Sequence, residues 1–280
     1  MSHWIEVKAH LAAMPLDWSA WDAIFDNHGV AGTVQTDKPP TLSGYVGPGS
    51  EDSIEDLKAA LFAHGAAEVT AEPVAEIDWA EAWKQFFVPR RVGNRFMVVP
   101  SWTEYDPLPN DLVITLDPGQ AFGTGDHPTT RGCLELLERE GAQDKEVADI
   151  GCGSGILSVG AGLLGAKSIV CVDTELVSCA STRENFIRNS VQGEVFNGAG
   201  FEPLPESDTY DLVLSNIISA ALIGIAHEAA RRVRPGGTWI ISGIIEPNWP
   251  DVLDKATRCG FTLQDLIHEG DWIAARLKKT

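Results

Sequence analysis

The stretch Val147-Ala148-Asp149-Ile150-Gly151-Cys152-Gly153-Ser154-Gly155 runs a short apolar segment into a turn with glycine at every second position. A second apolar segment, Ser168-Ile169-Val170-Cys171-Val172, ends in the carboxylate of Asp173. Strand, glycine-rich turn, helix and acid-tipped strand, in that order, build a nucleoside-binding crevice at the carboxyl edge of a parallel sheet. Few folds accommodate that series. A dinucleotide fingerprint needs glycine at its first, third and sixth positions. Here the glycines stand at 151, 153 and 155, and the sixth position is Ile156. This turn therefore has no diphosphate to cradle. Asp149, just before the first glycine, would repel phosphate and favour an ammonium or a sulfonium. These residues point to S-adenosylmethionine.

Each part of the motif has a physical task. Gly151 lets the strand turn sharply, and Gly153 removes a side chain that would block a ligand. Gly155 lets the following helix start close to the sheet. Asp173 is placed to accept the two ribose hydroxyls, and hydrogen bonds to a charged acceptor contribute roughly 1.5–3 kcal/mol. Cys152, inside the turn, reads as a small buried residue rather than a nucleophile.

The chain has 280 residues, enough for two domains. No apolar run approaches the ~18 residues needed to span a membrane. The opening Met1-Ser2-His3-Trp4-Ile5-Glu6 lacks a basic segment followed by an apolar core, so no signal peptide is expected. Five cysteines without close pairing read as reduced thiols of a cytoplasmic protein, not as disulfides or metal ligands. The net charge is −19. Residues 1–78 hold 13 Asp/Glu against 3 Lys/Arg, a net −10. Such a surface repels a nucleic-acid backbone and steers a basic protein toward it. Plain solubility explains the same excess.

The pattern along the chain divides it. Residues 4–11 alternate as a strand, and 16–28 read as a helix stopped by Gly29. Residues 30–36 and 41–47 read as strands, 53–64 as an amphipathic helix, and 67–74 as a last strand. The order β-α-β-β-α-β is ferredoxin-like. Residues 78–87 are expected to form a short aromatic helix with Trp79, Trp83 and Phe86 on one face, best explained by packing. Strands follow near 88–102 and 113–116. From 146 onward strands and helices alternate as in a parallel sheet. The end differs: strands 261–268 and 271–277, separated only by Glu269-Gly270, must pair antiparallel. The expected boundaries are residues 1–75 for the small acidic domain, 76–100 for a linker helix and strand, and 101–280 for the nucleoside-binding domain.

Two further segments carry candidate site residues. Ala121-Phe122-Gly123-Thr124-Gly125-Asp126-His127-Pro128-Thr129-Thr130 precedes a helix expected over 131–140. Pro128 and the threonines are helix-start residues. The two glycines suit a loop folding over a ligand, with the Thr130 hydroxyl at its rim. His127 reads as a capping or packing residue, since nothing marks a partner for catalysis. In Tyr210 to Ile218, Asn216 falls at the strand end beside the first strand, the switch point where ligands bind. Its amide oxygen can accept from an amine; it could also cap the next helix.

With these residues in place, the chain resembles the bacterial ribosomal protein L11 methyltransferases. The resemblance spans nearly the whole chain. It includes Asp78-Trp79, Trp83-Lys84, Phe86, Pro100-Ser101-Trp102, Leu116 to Thr130, Gly151 to Gly155, and Asn216-Ile217. It implies a seven-stranded, doubly wound, Rossmann-like methyltransferase sheet of class I, an α/β fold, with a small N-terminal ferredoxin-like α+β domain that recognises the substrate. The implied reaction is S-adenosylmethionine-dependent methylation of amino groups, lysine side chains and the N-terminal amine, on a basic protein of the large-subunit stalk base. It implies cofactor contacts at Thr130, Gly151, Asp173 and Asn216, beside the residue-based assignments of Asp149 and Gly153. Phe122 would lie near the transferred methyl, and Asn216 would also position the acceptor. Two departures stand out: Asp126 replaces a small or hydroxyl residue, and Ile218-Ser219-Ala220-Ala221 replaces Leu-Ala-Gly-Pro.

Three other readings compete. A methyltransferase for lysines of another protein shares every cofactor feature. A nicotinamide oxidoreductase is opposed by Ile156 and Asp149. A nucleoside-sensing module would bind the cofactor without turning it over. Neither a nucleic acid nor a membrane is an expected partner.

Overall fold

The computed structural model of the chain describes residues 4–15, 18–28, 30, 33–37, 39–47, 53–74, 87–117, 122–123 and 125–280. The chain divides into two compact units, Met1–Phe86 and Phe87–Thr280.

In the first unit the elements are β1 (Trp4–His10), α1 (Ser19–Asn27), β2 (Thr33–Asp37), β3 (Pro40–Val46), α2 (Ser53–His64) and β4 (Glu68–Val74). The sheet order is β2-β3-β1-β4, with every neighbouring pair antiparallel. This is the expected split βαβ arrangement: β3 lies between β1 and the strand that α1 delivers. Alternation sends Val7, Ala9, Leu42 and Val46 to one face, where they pack with Phe25, Leu57 and Leu61 of the two helices. Gly29, the expected stop of α1, and the expected aromatic helix from Asp78 to Phe86 lie outside the described residues.

The second unit opens with a three-stranded sheet of β5 (Arg90–Val92), β6 (Phe96–Val99) and β7 (Leu112–Thr115). It continues with α3 (Pro128–Glu140), β8 (Glu146–Ile150), α4 (Ile156–Leu163), β9 (Ser168–Asp173), α5 (Leu176–Arg188), β10 (Glu194–Asn197) and β11 (Tyr210–Asn216). Then follow α6 (Ser219–Arg232), β12 (Val233–Ile245), a 3₁₀ turn at Glu246–Asn248, α7 (Trp249–Arg258), β13 (Phe261–Glu269) and β14 (Trp272–Lys279). The seven strands stand in the order β10-β9-β8-β11-β12-β14-β13.

Period-2 alternation divides the strand side chains between two cores. Val147, Leu212, Leu214, Ile240 and Ala274 pack with Leu134, Leu137, Val159 and the small sheet. Ala148, Val213, Trp239, Ile241, Ile273 and Ala275 pack on the other face with Leu222, Ala226 and Val252. The sheet is therefore covered on both faces, as a doubly wound sheet must be.

Three details differ from the sequence reading. The helix expected from Arg131 begins at Pro128, so Thr129 and Thr130 belong to its first turn. β12 starts at Val233 rather than 238. Pro235-Gly236-Gly237 forms an irregularity inside a strand that pairs Val233 with Tyr210 and resumes at Thr238 opposite Leu212. The final hairpin turns at Gly270-Asp271, and its antiparallel strand β14 does not close the sheet edge. It is inserted between β12 and β13.

Candidate active site

β8 and β11 are parallel neighbours, while β9 lies on the other side of β8. The strand order reverses between β8 and β11, so a crevice opens at their carboxyl ends. A cavity of about 880 Å³ occupies it, lined among others by Phe122, Thr130, Gly151, Gly153, Asp173 and Asn216. These are six of the seven residues singled out in the sequence.

The turn after β8 explains its own glycines. Gly151 and Gly153 have φ of +83° and +56°, a region costly for other residues. The Gly151 and Cys152 amides donate to the Val172 carbonyl at 2.8 and 3.2 Å, binding the turn to β9. Asp173 organises the turn from the far side. Its Oδ2 accepts from the Gly153 amide and its Oδ1 from the Glu175 amide, each at 2.9 Å. An ionised carboxylate has about four acceptor sites, so two are left for hydroxyl groups in the cavity. A Cβ at position 153 would stand 2.5 Å from the Phe122 carbonyl oxygen. The glycine at 153 is thus required by the close approach of the segment bearing Phe122, and not, as expected, to keep a side chain out of the ligand's way. Ser154 fastens the two, its amide donating to Phe122 O at 2.9 Å and its hydroxyl to Gly123 O at 2.6 Å.

Asn216, the last residue of β11, donates from Nδ2 to the Thr130 hydroxyl at 3.4 Å. Among the described residues its buried Oδ1 has no hydrogen-bond partner. A buried acceptor left unpaired costs roughly 1–3 kcal/mol, so this oxygen is poised for a donor in the cavity. Thr130 is fully buried.

Asp149 is placed differently. It is buried beneath the turn and is not among the cavity-lining residues. Its Oδ2 accepts from the Ser158 hydroxyl at 2.6 Å, and its Oδ1 has no partner. Burial pushes its pKa up to about 7, against the lowering effect of the Ser158 hydrogen bond, and the nearby charge of Asp173 pushes it the same way.

The sequence reading placed Phe122 at the site but missed Trp272 and the aromatic wall that these two build with His127. Phe122, His127 and Trp272 all line the cavity. Their rings meet edge to face, Phe122 to His127 at 5.4 Å and His127 to Trp272 at 4.7 Å. His127 takes the capping role expected of it, accepting from the Thr129 amide at 3.3 Å ahead of α3. Burial and the charge of Arg131 lower its pKa, which keeps the ring neutral and able to accept. Trp272 was hidden because it begins the strand that breaks the parallel pattern. Since β14 runs antiparallel, its first residue, not its last, reaches the carboxyl edge. The one signal was an aromatic residue straight after the hairpin turn. Asp126, the first departure, pairs with Arg90 at 2.7 Å. Ile218, in the second, is 71% exposed at the cavity mouth.

The residues present fit S-adenosylmethionine. The cavity has the size of a cofactor site, Asp173 keeps free acceptor capacity at its edge, and Asn216 Oδ1 is an unpaired acceptor. Sheet order, glycine turn and strand-end acid together define a class I methyltransferase. A model of the ribosomal protein L11 methyltransferase (PrmA) family matches residues 21–280. The chain is 44% identical over 207 residues to a ribosomal protein L11 methyltransferase of Heliobacterium modesticaldum, the match covering 73% of this chain and 65% of that protein. It is 35% identical over 272 residues to one of Herpetosiphon aurantiacus, covering 88% and 85%. A crystal structure of a ribosomal protein L11 methylase from Lactobacillus delbrueckii subsp. bulgaricus is similar with a TM-score of 0.65 and 27% identity, over 69% of this chain and all of that one. The chain belongs to the ribosomal protein L11 methyltransferase family.

Proposed function

We propose that the chain transfers methyl groups from S-adenosylmethionine to amino groups of ribosomal protein L11, lysine side chains and the N-terminal amine. The observation that carries this reading is the switch-point cavity, lined by the glycine turn, Asp173, Asn216 and the aromatic rings. The bound cofactor supplies a methyl group on a sulfonium, activated for in-line displacement.

The chain's own residues bind, orient and dry the site. Asp173 holds the ribose hydroxyls, beside a glycine turn that packs tightly on Ile217 and on the Phe122 segment. Thr130 fixes the Asn216 amide, so that Oδ1 is presented to the acceptor nitrogen. Phe122 and Trp272 exclude water beside it. The attacking amine must be neutral. A lysine of pKa near 10.4 is neutral in about one part in a thousand near pH 7.5, a cost of roughly 4 kcal/mol. Desolvation by the aromatic wall lowers that pKa, and alignment contributes roughly 7–11 kcal/mol. Alignment exceeds deprotonation, so no dedicated side-chain base is required, and His127 is engaged as a helix cap. Asp149 lies beneath the turn, outside the cavity lining.

In this proposal residues 1–75 recognise the protein substrate, 76–100 link, and 101–280 perform the chemistry in the cytoplasm. Neither RNA nor membrane need take part. Among the described residues no helix is long and apolar enough to cross a membrane. Incubating the chain with purified L11 and S-adenosylmethionine, then weighing the product by mass spectrometry, tests the proposal. L11 should gain mass in whole methyl increments. An unchanged L11 mass alongside labelling of a different protein in extract would overturn the substrate assignment.

A further inference from the structure

We infer that Arg131 and Glu269 form a positioning pair that holds the aromatic side of the cavity in shape. The functional reading above enters only through the identity of the acceptor. Arg131 ends the first turn of α3, where the helix dipole disfavours a positive charge. Helix stability therefore does not explain it. Its guanidinium instead joins two separate segments. Nε donates to Glu269 Oε2 at 3.3 Å and Nη2 to Oε1, a two-pronged grip, while Nη1 donates to the Asp126 carbonyl. Asp126 directly precedes His127. Glu269 directly precedes the Gly270-Asp271 turn that leads into Trp272. One side chain thus ties together the backbone on either side of the 4.7 Å ring contact between His127 and Trp272.

Neither Arg131 nor Glu269 lines the cavity, so the pair acts through those two rings. The opposite flank of the hairpin has its own ties: the Glu246 amide donates to Asp271 O at 2.9 Å, and His268 approaches Glu246 at 3.6 Å. On the flank facing α3, Gly132 packs on Ala274 and Arg139 bonds Asp265 farther along the strands, and Arg131 makes the tie beside the turn. Arg131 is 18% and Glu269 45% exposed, so the pair is half-buried at the surface. The geometry demands a planar fork that lysine cannot reproduce.

The test uses Arg131→Gln, Glu269→Gln, their combination and Arg131→Lys in the full chain. Three quantities are read: cofactor affinity by calorimetry, kcat on L11 at saturating cofactor, and hydrogen exchange of peptides containing Asp126–His127 and His268–Ile273. Cofactor affinity should be unchanged. Each Gln variant should lose about 10–100-fold in kcat, the scale of a misplacement near 1 Å. The double variant should be no slower than the worse single one, as for two partners of one contact. Arg131→Lys should fall between. Exchange should rise in both peptides together. Parental kcat in either single variant, or losses that multiply in the double, would overturn the assignment. If the unaltered chain leaves L11 unmethylated, the functional reading falls and exchange alone decides the pair. Joint loosening of the two peptides then supports it, and unchanged protection refutes it.

Discussion

Asp149 keeps its carboxylate under the glycine turn, with Ser158 on one oxygen and nothing on the other. The groups facing it are the buried thiols of Cys133 and Cys171, both held in the neutral form by burial, and the carboxylate of Asp173. Its folded pKa is about 7, against about 3.9 in an unfolded chain. Between those values the folded protein holds a proton that the unfolded chain has lost. Stability therefore falls as pH rises from about 4 to about 7, and the penalty is complete above that. At 1.36 kcal/mol per unit it approaches about 4 kcal/mol. Asp149→Asn removes the ionisation. Its stability relative to the parent should rise from pH 5 to pH 8 in denaturant titrations, and a constant difference would show that Asp149 titrates normally. Asn216 gives a kinetic counterpart. Asn216→Asp keeps the shape and adds a charge that favours the ammonium form of the acceptor. Single-turnover methyl transfer at saturating cofactor should slow on the order of 100-fold in Asn216→Ala, as expected for misalignment, and also slow in Asn216→Asp. Parental rates with weakened cofactor binding alone would make Asn216 a binding residue only. Both residues were visible in the sequence because strand ends are. The side of the turn on which Asp149 lies was not, because a residue one place before a bend can face either the ligand or the core.

The elements were legible wherever one local signal dominated. Helix Ser53–His64 falls where periodicity put it, and the alternation of strand and helix starts at Glu146 as read. Local signals failed where tertiary pairing overrode them. Pro235 and Gly236 are poor strand formers, yet the segment is kept in the sheet by Val233 opposite Tyr210 and Thr238 opposite Leu212. Likewise the antiparallel sense of β14 follows from a two-residue turn, while its insertion between β12 and β13 does not. That insertion is long-range, and it alone brings Trp272 to the site. α3 joins the two levels: its N-terminus carries His127 and Thr130, and its buried face carries Leu134, Leu136 and Leu137. Leu137→Ala, at a fully buried position, should cost about 2–5 kcal/mol of unfolding free energy. Calorimetry below the melting transition should still show parental cofactor affinity, because the packed end lies two turns from the site. Loss of affinity in a variant that remains folded would show that core strain reaches the helix start.

Charge is the property of the whole molecule that its sequence states most directly. Forty acidic side chains face 21 basic ones, and residues 1–78 carry a net −10. On the described part of the first unit, Asp56, Glu68 and Glu72 are exposed, so their charge is available to solvent rather than spent on internal pairing. An acidic surface of this kind acts mainly on the rate of encounter with a basic partner, less on the stability of the complex. Its reach is set by screening, about 10 Å at 0.1 M salt. Replacing these three residues together, Asp56→Asn, Glu68→Gln and Glu72→Gln, leaves the catalytic cavity untouched. The association rate with L11 at low salt should drop, the dependence of that rate on salt should flatten, and dissociation should change little. Stopped-flow mixing of the full chain with L11 across a salt series measures all three. If the neutralised chain associates as fast as the parent, with the same salt slope, the acidity of the first unit serves solubility and recognition lies in other contacts.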